Sequence, residues 1–221
     1  MGIRVFLLKP LDKNRTWLRR YVSSAEAKCP LPFGFHDAMV PFGEYDYPYA
    51  TVPPGDDYPK WSEYENSIKP PIEDIRWPTQ CGCGYQFTPE DTYQLFVHQL
   101  YEGAPDGQLY TIREAPAGAL WYATWYNSKD EQGNVKWGVY WDNQTGPSLM
   151  CKLPNGREWD IDSRCSNCTL PDDRTHRCWV RHGEPPNIHV DKNGHTCSAG
   201  AGSILAGDYH GFLHNGELTP A

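Results

Sequence analysis

Two cysteines separated by one residue are the strongest chemical signal in the sequence. They lie in the run Cys81-Gly82-Cys83-Gly84, whose glycines permit the tight turn of a zinc knuckle. Thiolates on such a turn are zinc ligands, although the usual spacing places two residues between the cysteines and here there is one. Because a knuckle supplies two ligands and a structural zinc ion takes four, a second pair must lie elsewhere in the chain.

Cys29 and His36 are the natural second pair. They lie in a Pro- and Gly-rich segment, Lys28 to Pro78, which shows almost no hydrophobic periodicity and therefore needs something to order it. A site formed by Cys29, His36, Cys81 and Cys83 predicts a structural Zn²⁺ that fastens this segment. The alternative is that the cysteines are buried thiols and that His36 lies at the surface.

A second group of cysteines later in the chain has several interpretations. Its members are Cys165, Cys168, Cys178 and Cys197, with His182 as an alternative ligand. The two residues between Cys165 and Cys168 give the spacing of a metal-ligand pair. A second zinc ion, a disulfide between Cys168 and Cys178, and ordinary buried thiols are three separate hypotheses for this group.

The element expected to support the knuckle is a helix that begins at Thr88. Thr88 suits the N-cap position and Pro89 suits the first helical position. A stripe of apolar residues then recurs at helical spacing, and a glycine follows it. The stripe consists of Tyr93, Phe96, Val97 and Leu100, and the glycine is Gly103.

Most other elements are predicted to be strands, because aromatic and β-branched residues cluster between turn signals. They are Ile3 to Leu8, Thr16 to Val22, Gln108 to Arg113, Ala119 to Tyr126, Val135 to Trp141, Cys178 to Arg181, and two hairpins, Leu149 to Asp162 around Asn155-Gly156 and Ile188 to Cys197 around Asn193-Gly194. The predicted fold class is α+β, mostly β, with antiparallel sheets and hairpins, one capped helix, long Pro/Gly-rich loops and zinc stabilisation. The predicted regions are 1–103, with the N-terminal strands, Pro-rich arm, knuckle and helix, and 104–221, which is β-rich; the two could form one continuous domain.

Three acidic residues alternate along one of these predicted strands. Glu158, Asp160 and Asp162 would share one face, because successive strand residues point to opposite sides of a sheet. Paired acids can be catalytic or can bind Ca²⁺, but such a face is more often the solvated side of a sheet. We therefore expect a wet face here and assign no catalytic residue.

Composition excludes several classes of protein. The aromatic content of 14 % argues against disorder. The net charge of -8 disfavours direct nucleic-acid binding and attachment to anionic membranes. No run reaches membrane-spanning length, and Lys9-Pro10 stops the apolar start well short of a secretory core. We expect a chain made in a cytoplasm, where cysteines stay reduced.

Several short motifs carry a resemblance. They are Trp159-x-Ile161-Asp162, Cys178-Trp179-Val180-Arg181-His182-Gly183-Glu184-Pro185-Pro186, Asp191-Lys192-Asn193-Gly194 and Tyr209-His210-Gly211-Phe212-Leu213. The stretch Gly156 to Thr219 that contains them resembles an uncharacterised family of tailed bacteriophages and prophages, and the similarity extends upstream through the four predicted zinc ligands. The family has no assigned activity, so the resemblance implies only a setting: a phage product made in the cytoplasm of a bacterial host, with incorporation into the virion as one outcome.

These observations favour a structural or accessory phage protein over an enzyme. The leading hypothesis is a capsid-associated, connector or tail-associated subunit whose partners are other subunits of the particle, because a Pro- and Tyr-rich arm suits large contacts between proteins. The alternative is an intracellular zinc- or cysteine-dependent phage enzyme that acts on a host component. A second alternative is a module that binds a host protein through its acidic surface.

Overall fold

The structure is a computed structural model that describes most of the chain. The described residues are 2–22, 28–31, 34–46, 61–103, 106–123, 127–129, 135–137, 148–162, 168–170, 172, 178–191 and 202–221. For 61–64, 127–129 and 135–137 the description covers the backbone alone. Cys165, Cys197 and the predicted turn at Asn193-Gly194 lie outside the described residues.

Strands dominate the described part of the chain. In chain order the elements are β1 (Ile3–Arg4), β2 (Phe6–Val22), β3 (His36–Asp46), α1 (Trp61–Ile68), β4 (Thr92–Gly103), β5 (Gln108–Tyr110), β6 (Ala119–Tyr122), β7 (Asn127–Lys129), β8 (Val135–Trp137), β9 (Leu149–Lys152), β10 (Glu158–Asp160), β11 (Val180–His182), β12 (His189–Asp191), β13 (Ile204–Ala206), β14 (Tyr209–His214) and β15 (Glu217–Pro220). Nearly all strand pairs are antiparallel, and the predicted mostly-β class is confirmed. Only the pairing of β2 with β6 among the described registers is parallel.

The chain divides into two compact units. One, the hairpin unit, contains the described residues of 2–9 and 101–221. The other, the knuckle unit, contains those of 10–46 and 61–100. The predicted boundary follows residue 103, whereas these units separate within β2 and within β4.

The knuckle unit is built on the long strand β2. Its even-numbered residues from Asn14 to Arg20 are buried, and the odd-numbered ones between them are half-exposed, as expected for a strand with one face in the core. Leu18 packs there with Trp77 and Leu95, which are almost completely buried. β3 pairs with β2 from Lys13↔Asp46 to Val22↔His36, and this register fixes His36 at the start of β3.

The predicted helix after the knuckle is wrong, because residues Thr92–Gly103 form strand β4. Thr88 and Asp91, which the sequence places at the start of a helix, instead form a turn. Asp91 N donates to Thr88 O at 3.0 Å, and Thr88 N donates to the Asp91 carboxylate at 2.7 Å. β4 neighbours β2 in the sheet. Leu95, which the helical stripe omits, is buried in the core with Leu18. Packing against β2 therefore overrides the local helical pattern.

The segment Lys28 to Pro78 is more regular than its composition predicts. Its described part contains β3, the helix α1, a loop closed by the bridge between Lys28 and Phe35, and turns around residues 71–77. Trp77 is held in the core by an N–H bond from its ring to Pro71 O at 2.9 Å and by an edge-on contact with Tyr93. The prediction that this segment lacks regular elements is therefore wrong for its described residues.

The hairpin unit contains the larger core. β9 is buried along its whole length and lies between β6 and β10, with Trp159 of β10 packed edge-on against Trp179 at 5.4 Å. A four-stranded antiparallel sheet, in the order β1, β15, β14, β13, contributes further apolar residues to the same core. The predicted hairpin around Asn155-Gly156 is present as β9 and β10, with Trp159 opposite Cys151.

No helix in the described part of the chain is long and apolar enough to cross a membrane.

Candidate metal centre

Four side chains of the knuckle unit converge on one point. They are Cys29, His36, Cys81 and Cys83, and their ligand atoms all lie within 4.8 Å of one another. Cys29 Sγ is 4.0 Å from Cys81 Sγ, and His36 Nδ1 is 3.2 Å from Cys83 Sγ. The structure thus brings together the four residues selected from the sequence, and the group could hold a metal ion.

Cys29 and His36 are positioned by a short loop. The bridge between Lys28 and Phe35 closes this loop just before β3 begins at His36. Within it, Cys29 N donates to Gly34 O at 3.2 Å. Both side chains point inward and are buried, with 7 % of Cys29 and 6 % of His36 exposed.

Cys81 and Cys83 are positioned by a second loop of similar design. The bridge between Gln80 and Gln86 closes it, and Cys81 N donates to Tyr85 O at 2.9 Å. Gly84 has φ +97°, a backbone conformation that only glycine adopts at low cost, so the glycine after the second cysteine is required by the turn. Two hairpin loops therefore supply two ligands each.

Backbone amides prepare the sulfur atoms for a cation. Leu31 N donates to Cys29 Sγ at 3.5 Å. Burial raises the pKa of the Cys29 thiol, and the Leu31 amide opposes this effect. Burial also acts to raise the pKa of Cys81, but hydrogen bonds from the amides of Cys83 and Asp37 and from His36 outweigh it and lower that pKa to about 6. This lowered pKa favours the thiolate of Cys81, which is the form that binds metal.

Tyr85, Asp37 and Arg19 surround the ligands and hold them in place, although the sequence did not indicate them. The Tyr85 ring stacks on His36 with centroids 4.1 Å apart and planes 11° from parallel. Asp37, whose amide points at Cys81, forms a two-pronged ion pair with Arg19 at 2.9 Å on each side. The signal for Asp37 was its position next to a candidate ligand, but its ion pair depends on the register of β2 and β3.

Two of the separations within the group, Cys29–Cys81 and His36–Cys83, are close to those of a tetrahedral zinc site. In a tetrahedral site, Zn–S bonds of about 2.3 Å and Zn–N bonds of about 2.0 Å place two sulfur ligands about 3.8 Å apart and a sulfur ligand about 3.5 Å from a nitrogen ligand. The observed separations of 4.0 and 3.2 Å differ from these values by a few tenths of an ångström. Three thiolates with one imidazole select a soft or borderline ion such as zinc over magnesium or calcium.

The second predicted group does not assemble among the described residues. Cys168 and Cys178 are not joined by a disulfide in the structure, so that hypothesis is wrong. Cys178 is buried in the core of the hairpin unit, which Cys168 flanks. His182 contacts Asp191 instead of a cysteine, at 2.8 Å. For the described members, the interpretation as thiols at or near the core fits best.

The expected wet acidic face is wrong for Asp162. Its side chain is 2 % exposed, accepts a hydrogen bond from Leu149 N at 2.8 Å and lies 3.5 Å from the Arg181 guanidinium. β10 ends at Asp160, so the alternation that the sequence suggested does not continue to residue 162. Burial, with the nearby Asp162 charge adding to it, raises the pKa of Asp160 to about 6.

No protein-family model, curated protein or solved structure matches the chain.

Proposed function

We propose that this chain is a zinc-stabilised, non-catalytic protein that acts through contacts with other proteins. The observation that carries the proposal is the closed ligand group of Cys29, His36, Cys81 and Cys83. A zinc ion held by four protein ligands has no open position for water or substrate, whereas catalytic zinc ions keep one. The role of such an ion is to join the two hairpin loops.

The surface of the same unit offers apolar groups for such contacts. Leu31, which lies beside the knuckle at Gly82, is 41 % exposed, and Met39 is 40 % exposed. Ile72 and Ile75 are exposed in the turn before Trp77, and Ile75 is 97 % exposed. Exposed large apolar side chains, where they form a contiguous patch, are typical of an interaction surface.

The resemblance to phage proteins gives the proposal its setting. In that setting the chain is a structural or accessory subunit, associated with the capsid, connector or tail, and the zinc ion holds its contact surface in shape. Quantitative mass spectrometry of purified particles of the phage that encodes the chain tests this role. A constant copy number per particle is expected, and absence from mature particles would refute the role in the virion while leaving the zinc site intact.

The enzyme alternative rests on the lowered pKa of the Cys81 thiol and its hydrogen bond with His36. A low pKa and a neighbouring imidazole are features of nucleophilic cysteines. Cys81 is only 2 % exposed, however, so a substrate cannot reach its sulfur in this conformation. Labelling with iodoacetamide separates the two functions: slow labelling that accelerates after chelation supports a structural site, and fast single-site labelling of the zinc-loaded protein supports the enzyme.

The remaining alternative, a module that binds a host protein, makes a different prediction. Such a chain would retain one defined host protein in stoichiometric amount from bacterial lysate. It would also be absent from purified particles, which separates it from the proposed structural role.

A further inference from the structure

A second set of metal-binding side chains lies on a hairpin of the hairpin unit. β11 and β12 pair antiparallel, and His182 stands directly opposite His189 in the register. Asp191 follows His189 by two residues on β12, so it projects from the same face of the strand. One ligand on one strand and two alternate ligands on its partner therefore face a common point.

The two contacts of Asp191 within this set have lengths that ligands of one metal ion can have. His182 Nε2 is 2.8 Å from Asp191 Oδ1, and His189 Nε2 is 3.3 Å from Asp191 Oδ2. Nitrogen and oxygen atoms bound about 2.0–2.1 Å from a single four- to six-coordinate ion lie about 2.9–3.3 Å apart. The carboxylate presents one oxygen to each imidazole, so both rings already point a nitrogen at it.

The two rings need only a small adjustment to share an ion. Their centroids are 6.1 Å apart. Two imidazoles bound to one tetrahedral ion have centroids about 5 Å apart, so the rings must approach by about 1 Å. His182 can make this movement, because 44 % of its side chain is exposed.

A third imidazole is close to the same point. The His214 ring, from β14, lies 4.4 Å from the His189 ring with the two planes 30° apart. His214 is exposed, and on β14 it shares the outward face with His210 and Phe212. It is thus available as a further ligand, whereas His210 hydrogen-bonds to Ser203 instead.

The geometry points to a second metal site, formed by His182, His189 and Asp191, that binds a divalent first-row transition metal ion such as Zn²⁺. Two imidazoles and one carboxylate suit these ions, whereas calcium and magnesium prefer oxygen ligands alone. Because three protein ligands at an exposed position leave coordination positions open, this ion would remain accessible to water or a small anion. The site is independent of the cysteine group and of the function proposed for it.

The test is a zinc titration of the full chain after its cysteine site has been filled with one equivalent of Zn²⁺. Isothermal titration calorimetry measures binding of a further equivalent, and imidazole ¹⁵N NMR shifts report which histidine nitrogens take part. We expect one additional ion, with shifts at His182 and His189 and none at His210. Either no additional binding or binding without shifts at this pair would overturn the proposal.

Two substitutions and a matched control separate a built site from adventitious surface binding. His182→Ala removes an exposed ligand and Asp191→Asn removes the carboxylate charge; each should weaken the second equivalent at least tenfold. His210→Ala removes an exposed histidine of β14 outside the set and should leave the affinity unchanged. Equal affinity in all three variants would refute the assignment, and unchanged backbone amide spectra verify that the variants fold.

Discussion

Removal of the metal, by chelation or by Cys81→Ser, should release the knuckle unit from its folded state. The ion would link Cys29 to Cys81 across 52 residues. Because such an ion binds the folded site and not the unfolded chain, it stabilises the unit by about 4 kcal/mol at a free zinc concentration about a thousand times its Kd. The described apolar cluster of the knuckle unit has three buried members, Leu18, Trp77 and Leu95, with partly buried residues packed against them, so the ion adds a large share to a small core. A loss of about 4 kcal/mol is a large part of the stability of an ordinary domain.

Hydrogen exchange measured by mass spectrometry can locate this loss of stability in the knuckle unit. A loss of about 4 kcal/mol corresponds to about a thousandfold decrease in amide protection. We expect it in peptides from β3, and we expect peptides from β14 and β15 in the hairpin unit to serve as the internal reference. The control is Cys151→Ala, which removes a buried thiol whose sulfur donates to Lys152 O. Equal protection of β3 with and without metal would refute the idea that the ion holds this unit together.

Three further predictions concern the folded chain. Asp160→Asn should flatten the pH dependence of the unfolding free energy between pH 4 and 6. The pKa of Asp160 is about 6 in the folded chain and 3.8 ordinarily, so the protonated group adds stability below pH 4, and this stability is lost as the pH rises through 6. In urea unfolding at pH 7 the variant should gain about 1–2 kcal/mol, a figure reduced for solvent screening because Asp160 is only half-buried. The same pH dependence of the unfolding free energy in variant and wild type would contradict this. Leu18→Ala should cost about 2–5 kcal/mol of unfolding free energy, because it empties a completely buried position; a loss below 1 kcal/mol would show that the core is misassigned. Gly118→Ala should cost about 1–3 kcal/mol, since φ is +91° and the new Cβ would lie 2.8 Å from Arg4 O, whereas Gly107→Ala, with a similar φ and open space, should cost less in the same thermal melts.

The metal-ligand group could be predicted from the sequence because its chemistry limits the choices. A pair of cysteines on a glycine turn supplies half of a four-ligand site, and Cys29 and His36 lay in the segment that most needed ordering. The positions of Tyr85, Asp37 and Arg19 around the site could not be predicted in the same way. The Arg19–Asp37 ion pair depends on the register of β2 and β3, and the Tyr85 position depends on its stacking on His36. Both are set by contacts between distant parts of the chain.

The error at β4 shows where local patterns stop being informative. Tyr93, Val97 and Leu100 fit a helical stripe, but Tyr93, Leu95 and Val97 also alternate as a strand requires. Burial of Leu95 against Leu18 decides between the two, and that contact joins residues far apart in sequence. The burial of Asp162 was missed for a similar reason, since its partner Arg181 comes from another strand.

X-ray absorption at the zinc edge tests the central claim most directly. The full chain, purified without added metal and washed with a weak chelator to clear exposed sites, should hold one zinc ion per chain. The spectrum should fit three sulfur ligands at about 2.3 Å and one nitrogen at about 2.0 Å, contributed by Cys29, Cys81, Cys83 and His36. Less than half an equivalent of zinc, or a ligand shell of nitrogen and oxygen alone, would contradict the account.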